Sequence, residues 1–364
     1  MWPRARPVTD VPARGARRAG VVASALVAAG LFWWFLRGVD LDTMAAEIRH
    51  ADTTDVVAAV AVSLAGFGVR ALRWRHLVAP FKWVSLRSLT SAVFIGSTVT
   101  ALLPGRLGEV ARAVSLGRRE GLPSSTVFGT IVLERLIDVL ALVILVAASL
   151  ALVPPAALGS EHASLMLGIR SGAWLVFGAL VGVAAVMLAA HRVPDSLRAL
   201  ARRWIGRMPG RLYRFGWTVG TSFANGLSLP LKTAAPGLAA RGLRAAIAGH
   251  TLLLWATICA VHALLFRAFD IDASVAQIPP LLFLITLGLS VPVPASLGSY
   301  HKAVQVGLTT MMGVSNETAA GYAIVSHVVT QGPPVLIGVV LLARQGLRPS
   351  TFVSSSASTR APAE

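Results

Sequence analysis

Three ionisable residues, Glu134, Arg135 and Asp138, stand inside an otherwise apolar stretch at 126–150. A helix there places Glu134 and Asp138 on one face, and Arg135 reaches Asp138 at i,i+3. Counted from residue 126, Glu134 lies ~12 Å along such a helix. Charges at that depth of a bilayer are costly and therefore face a cavity or a partner. A second set, Arg106, Glu109 and Arg112, follows Leu103-Pro104-Gly105. On a helix starting after Gly105, Glu109 lies three residues from each arginine. A helix start with its free N–H groups is a natural anion site, and the arginine fork donates two parallel bonds to phosphate. The expected chemistry is capture of a phosphate, with Glu134 and Asp138 positioning the arginines. The competing expectation is a structural ion-pair cluster, with Arg106 and Arg112 as interfacial anchors.

A third group, Ser299-Tyr300-His301-Lys302, offers hydrogen-bond donors after a Pro/Gly-rich break, and Tyr300 and Lys302 join the substrate-binding candidates. His327, Thr330 and Gln331 share the last apolar stretch, with His327 and Gln331 on one face; His250 and His262 are read as packing residues. The sequence holds no P-loop, no G-x-S-x-G, no paired metal-ligand spacing and no dinucleotide-binding glycine fingerprint. No catalytic, cofactor-binding or metal-binding residue is assigned, and the expectation is a protein that is not an enzyme.

The elements that carry these residues are apolar. The chain has 364 residues, 55% of them hydrophobic and 13% charged, with a net charge of +17 and one cysteine, Cys259; its mean hydropathy is +0.70. A soluble domain carries about 25% charged residues, so a water-soluble enzyme, a disordered chain and a disulfide scaffold are all excluded. Six stretches have the ~20 apolar residues that a membrane helix needs: 18–36, 56–74, 126–150, 172–190, 246–266 and 321–343. No small-x-small cleavage site follows the first, which reads as an uncleaved signal-anchor. Two shorter runs, 88–103 and 279–294, end in Pro and Gly, which interrupt helices.

Arg70, Arg73, Arg75, Lys82 and Arg87 precede the first short run, and Arg106, Arg112, Arg118 and Arg119 follow it. A crossing would put one cluster outside, against the positive-inside bias, so 88–117 reads as a re-entrant hairpin. With both termini inside, 27 of the 33 Lys and Arg fall in cytoplasmic segments. The bases then set orientation and meet anionic headgroups, and no nucleic-acid partner is expected. Basic residues mixed with aromatics over 192–244 read as an interfacial segment on the cytoplasmic side. The tails 1–17 and 346–364 read as disordered, leaving one membrane domain over 18–345.

Pro104-Gly-Arg-Leu-Gly-Glu aligns with Pro294-Ala-Ser-Leu-Gly-Ser, and the units around them, 56–153 and 245–342, match in length. In each, a span, an interrupted hairpin and a second span follow in order, with directions opposed. The expected fold is thus an all-α polytopic membrane protein: about six transmembrane helices, two re-entrant hairpins and an inverted-topology repeat, whose broken segments point to the substrate site. Broken backbone at membrane depth must be shielded by protein or line a watered cavity, so the two loops are expected to meet around a polar hollow.

Leu103-Pro-Gly-Arg-Leu-Gly-Glu-Val-Ala-Arg112, the later Leu133-Glu-Arg-Leu-Ile-Asp138 and the Pro294-x-x-x-Gly298 segment resemble the lysylphosphatidylglycerol synthase transmembrane-region family of flippase-like membrane proteins. The resemblance covers roughly 20–345. It implies an integral membrane domain that moves a lipid headgroup between leaflets. With the anion site read from Arg106 and Arg112, the expectation is a bacterial cytoplasmic-membrane protein whose cargo is an anionic phospholipid or a polyprenyl phosphate. The resemblance supplies no aminoacyl-transferase domain, so synthesis of lysyl-phosphatidylglycerol is not expected. Two other functions fit the same residues: a non-catalytic accessory of a lipid-modifying glycosyltransferase or synthase, and an ion-coupled transporter of small solutes.

Overall fold

The computed structural model describes residues 14–102, 107–152 and 238–344, with positions 168, 171, 172, 175 and 178. The expected span 172–190 falls almost wholly outside them. So do the two tails, most of the 192–244 segment, and Arg106.

The described residues are helical and include no strand: α1 (Arg14–Leu36), α2 (Leu41–His50), α3 (Thr53–Val78), α4 (Leu86–Leu102), α5 (Leu107–Glu120), α6 (Ser124–Leu152), α7 (Leu238–Ala268), α8 (Ile278–Ser290), α9 (Ser299–Met312) and α10 (Asn316–Arg344). The all-α membrane fold is as expected. By length and composition α3, α7 and α10 can each cross a membrane, and α1 with α2, bent by 84°, makes a fourth candidate. At 29 residues α6 matches them in length. Large apolar side chains such as Leu252 and Leu336 are about 70% exposed, a surface suited to lipid.

Between α1 and α3 stands the short helix α2. Asp40 caps it by accepting from the Asp42 and Thr43 N–H groups, and Asp52 caps α3 in the same way through Thr54 and Asp55. α2 lies against α10.

α3 and α7 pack antiparallel along the length of α3. The Asp52 N–H donates to the Ala268 carbonyl (2.9 Å) at one end. Gly66 faces Thr257 near the middle, and the His76 and His250 rings lie 5.1 Å apart at the other end. Around this pair the contacts repeat. α4 folds back on α5 as α8 does on α9; α5 packs on α6 as α9 does on α10; and α4 meets α10 as α8 meets α6. Exchanging the two units leaves this pattern of packing unchanged, and the equivalent helices α3 and α7 run in opposite directions.

Small residues allow the hairpins to close. Ser88, Ala92, Gly96 and Thr100 recur every fourth residue along α4, the spacing that lets helix backbones approach without side chains between them. A Cβ on Gly108 of α5 would come within 2.0 Å of both the Gly96 carbonyl oxygen and Thr100 Oγ1, so no larger residue fits there. The second hairpin turns through Ala295, Ser296 and Gly298, at φ of 51°, 52° and 78°. At Gly298 the α1 backbone passes so closely that a Cβ would sit 2.4 Å from Phe32 N. That position needs glycine both for its left-handed backbone and for space.

Inside α10, Pro333 and Pro334 interrupt the hydrogen-bond ladder. The following turn is held to α4, where Thr98 Oγ1 donates to the Val335 carbonyl (3.1 Å).

Candidate functional site

A cavity of about 440 Å³ lies between the two hairpins and the α3–α7 pair. α4 and α5 contribute Ser97, Thr100, Glu109 and Arg112 to its wall, and the second hairpin contributes Thr286, Ala295, Ser296 and Tyr300. Both interrupted segments therefore border one hollow, as their proline and glycine content led us to expect.

One side of this hollow is charged. Glu134 of α6 is fully buried, yet three arginines from three helices reach it. Arg112 donates to it in fork-to-fork fashion, Nη1 to Oε1 at 3.2 Å and Nη2 to Oε2 at 2.7 Å. Arg135 Nη2 donates to Oε1 at 2.7 Å. Arg73 Nη2 from α3 stands 3.4 Å from the same oxygen, while its Nη1 donates to Asp138 at 2.5 Å. The Arg112 guanidinium also lies 3.7 Å from the ring centre of Trp74, whose Nε1 donates to Thr130 Oγ1 at 3.0 Å. Such density of charge in low dielectric holds only because each carboxylate meets more than one cation, or a bidentate one.

One pairing expected from the sequence appears, and another is redirected. Arg135 does reach Asp138, at 3.5 Å. The i,i+3 pair Glu109–Arg112 does not form within α5. Arg112 instead turns to α6, where Glu134 offers both oxygens, and Glu109 lies 3.8 Å from Arg135.

Arg73 requires a correction. It was counted with Arg70 among the flanking loop bases that set orientation, but its side chain is fully buried in the cluster. Arg70, likewise unassigned, lines the cavity and makes no ion pair among the described residues. A signal existed for both, since they lie at i,i+3 near the end of a predicted span, one turn apart on the same face.

The other side of the hollow is neutral. Tyr300 lies 2% exposed, its hydroxyl donating to Ser326 Oγ at 3.0 Å and its ring 4.9 Å from that of His327. His327 and Gln331 line the cavity, as their shared face suggested. Lys302 does not line it: its ammonium donates to Gln305 Oε1 at 2.8 Å and lies 5.0 Å from the Trp34 ring on α1. Of the two histidines read as packing residues, His250 Nδ1 lies 2.6 Å from the Ala246 carbonyl, consistent with that reading. His262 borders the cavity, though its Nδ1 is bonded to the Tyr322 hydroxyl at 2.7 Å.

Four cavity residues hold a buried nitrogen that makes no hydrogen bond among the described residues: Arg112 and Arg135 at Nε, Trp255 at Nε1 and His327 at Nε2. Buried donors are seldom left unmet, and these four border the hollow. Among the described residues no three of His, Cys, Asp and Glu converge as a metal site.

The chain is similar to the glycosyltransferase AglD of Haloferax volcanii, at 24% identity over 374 residues that cover 94% of this chain and 57% of the relative. It thus spans little more than half the length of that protein. Residues 21–338, including both hairpins and the arginine cluster, match the model of the lysylphosphatidylglycerol synthase TM region, and the chain belongs to that family of membrane proteins.

Proposed function

We propose that this protein passes the phosphate-bearing headgroup of a membrane lipid through the cavity between its hairpins while the hydrocarbon chains remain in the bilayer. The cargo is an anionic phospholipid or a polyprenyl phosphate. The observation that carries this reading is the wall of three arginines and two carboxylates bordering one hollow, backed by the buried Arg73 and Glu134, in which Arg70 has no carboxylate of its own. A phosphate entering there meets donors already oriented by Glu134 and Asp138. A charge-assisted bond from arginine contributes about 1.5–3 kcal/mol. In this reading the chain breaks no covalent bond, works in the cytoplasmic membrane of a bacterium with both termini inside, and moves its cargo downhill or with an ion gradient.

The test is reconstitution into vesicles with fluorescent phospholipids of several headgroups. Translocation faster than in protein-free vesicles, lowered by Arg70→Gln, is expected. No acceleration with any headgroup would sink the reading.

The similarity to a protein named glycosyltransferase over 57% of its length favours a second reading, a membrane accessory to lipid-linked sugar transfer. There, Arg112→Ala leaves lipid distribution unchanged while partner binding depends on segments outside the cavity.

A further inference from the structure

We infer that the cavity takes a phosphate whose other substituent is neutral and rich in hydroxyl groups, and that it excludes cationic headgroups; this rests on the site assigned above, though not on translocation itself.

The charge on the cavity wall comes first. Its lining includes Arg70, Arg112 and Arg135 against Glu109 and Asp138. Both carboxylates are already engaged, Asp138 by Arg73 and Arg135, and Glu109 by Arg135. An ammonium brought in beside a bound phosphate finds no free carboxylate. It meets an excess of arginine instead, and like charges brought together in a desolvated site cost several kcal/mol.

The neutral side supplies the second, independent observation. Its hydrogen-bonding order fixes a donor. The Gly298 N–H donates to His301 Nδ1 at 3.4 Å, which leaves the His301 proton on Nε2. That proton bonds His327 Nδ1 at 3.2 Å, so the His327 proton sits on Nε2, which makes no hydrogen bond of good geometry and whose polar neighbour is the Ala295 backbone at the cavity wall. Neither Trp255 Nε1–H nor the Gln331 amide makes a hydrogen bond within the described residues. Two N–H donors and an amide that both donates and accepts suit hydroxyl groups, which also do both. The indole of Trp255 and the stacked Tyr300–His327 rings add flat apolar faces of the kind on which the C–H surface of a sugar or cyclitol packs. These neutral groups belong to α7, α9 and α10, whereas the charged wall comes from α3, α5 and α6. A headgroup with phosphate at one end and a polyol at the other therefore meets matching chemistry at both.

The experiment measures lipid retention by the full chain in detergent micelles, by native mass spectrometry. The probes are chain-matched phosphatidylinositol, phosphatidylglycerol and lysyl-phosphatidylglycerol, with polyprenyl phosphate bare and hexose-linked. At least about tenfold stronger retention of the hydroxylated lipids over lysyl-phosphatidylglycerol is expected. Retention of the glycerolipids marks one source of the chemistry, and retention of the hexose-linked isoprenoid alone marks the other; both support the inference. Gln331→Ala and Trp255→Phe, each checked for an unchanged thermal midpoint, are expected to reduce hydroxylated headgroups severalfold and leave bare polyprenyl phosphate untouched. Equal or stronger retention of lysyl-phosphatidylglycerol overturns the inference, as does failure of both variants to separate hexose-linked from bare isoprenoid. Selective retention without movement in vesicles removes the translocation reading and leaves this one standing.

Discussion

Glu134→Ala offers the sharpest test of the cluster. The carboxylate accepts two bonds from Arg112 and one from Arg135, and Arg73 stands 3.4 Å away. Its removal leaves Arg73 bonded to Asp138 and Arg135 near Asp138 and Glu109. Arg112, only 5% exposed, is then left without a carboxylate among the described residues. Stranding one member of a buried pair costs about 3–5 kcal/mol. Arg112→Met takes away a cation and keeps the Trp74 contact apolar, while Glu134 retains Arg135 and Arg73, so its cost is smaller, about 1–3 kcal/mol. The double variant loses the stranded charge as well as its partner, and is expected to be more stable than Glu134→Ala alone, which needs a coupling larger than the cost of Arg112→Met, about 3 kcal/mol. Thermal unfolding followed by tryptophan fluorescence reads this, because Trp74 lies under the Arg112 guanidinium. If the two single effects add, or if Glu134→Ala melts with the wild type, the carboxylate is not the hub described here.

Arg70→Gln is expected to weaken retention of anionic lipids by roughly ten- to a hundredfold, the equivalent of one charge-assisted bond, with little change in thermal midpoint; unchanged retention would remove Arg70 from the site. Gly108→Ala is expected to cost about 3 kcal/mol or more, because its Cβ meets two oxygens of α4 at 2.0 Å. Gly68→Ala in α3, with nothing within 4 Å, is expected to be neutral or stabilising, and comparing the two melting curves tests the close approach of the hairpin. The Asp55 and Thr54 N–H groups hold the Asp52 carboxyl below its ordinary range. A lowered native pKa stabilises the fold above about pH 4 and loses that contribution as the pH falls further. The wild type is therefore expected to lose more of its thermal midpoint between pH 6 and pH 3 than Asp52→Asn does, and equal losses would refute the cap.

What the sequence displayed was length, polarity and interruption. The apolar runs at 56–74, 126–150, 246–266 and 321–343 lie inside α3, α6, α7 and α10, which extend past them by a few residues because helices continue into polar flanks. The Pro and Gly at 104–105 and 294–298 revealed both breaks, and the hollow followed from the need to shield broken backbone. Glu134 and Asp138 were visible as charges inside an apolar run. Their partners were harder to see. Arg73 shares its neighbourhood in sequence with Arg70, Arg75 and Lys82, so it resembled one more flanking base; only the packing of α3 against α6 brings it to Glu134. Trp255 had no mark at all, since a tryptophan in an apolar helix looks the same whether its N–H meets a partner or a cavity.

The paired prolines of α10 divide that helix into two hydrogen-bonded parts. Lacking N–H groups, Pro333 and Pro334 leave the carbonyls of Val329 and Thr330 without their usual i+4 donors. On one side of this joint stand His327 and Gln331, facing the hollow. On the other, Val335 is bonded to Thr98, and Gly338 lies so close to Phe94 that no side chain fits between them. A pivot at the joint would widen or narrow the neutral end of the hollow while the α4 seam stayed closed. The backbone bonds that would resist such a swing in an ordinary helix are already missing.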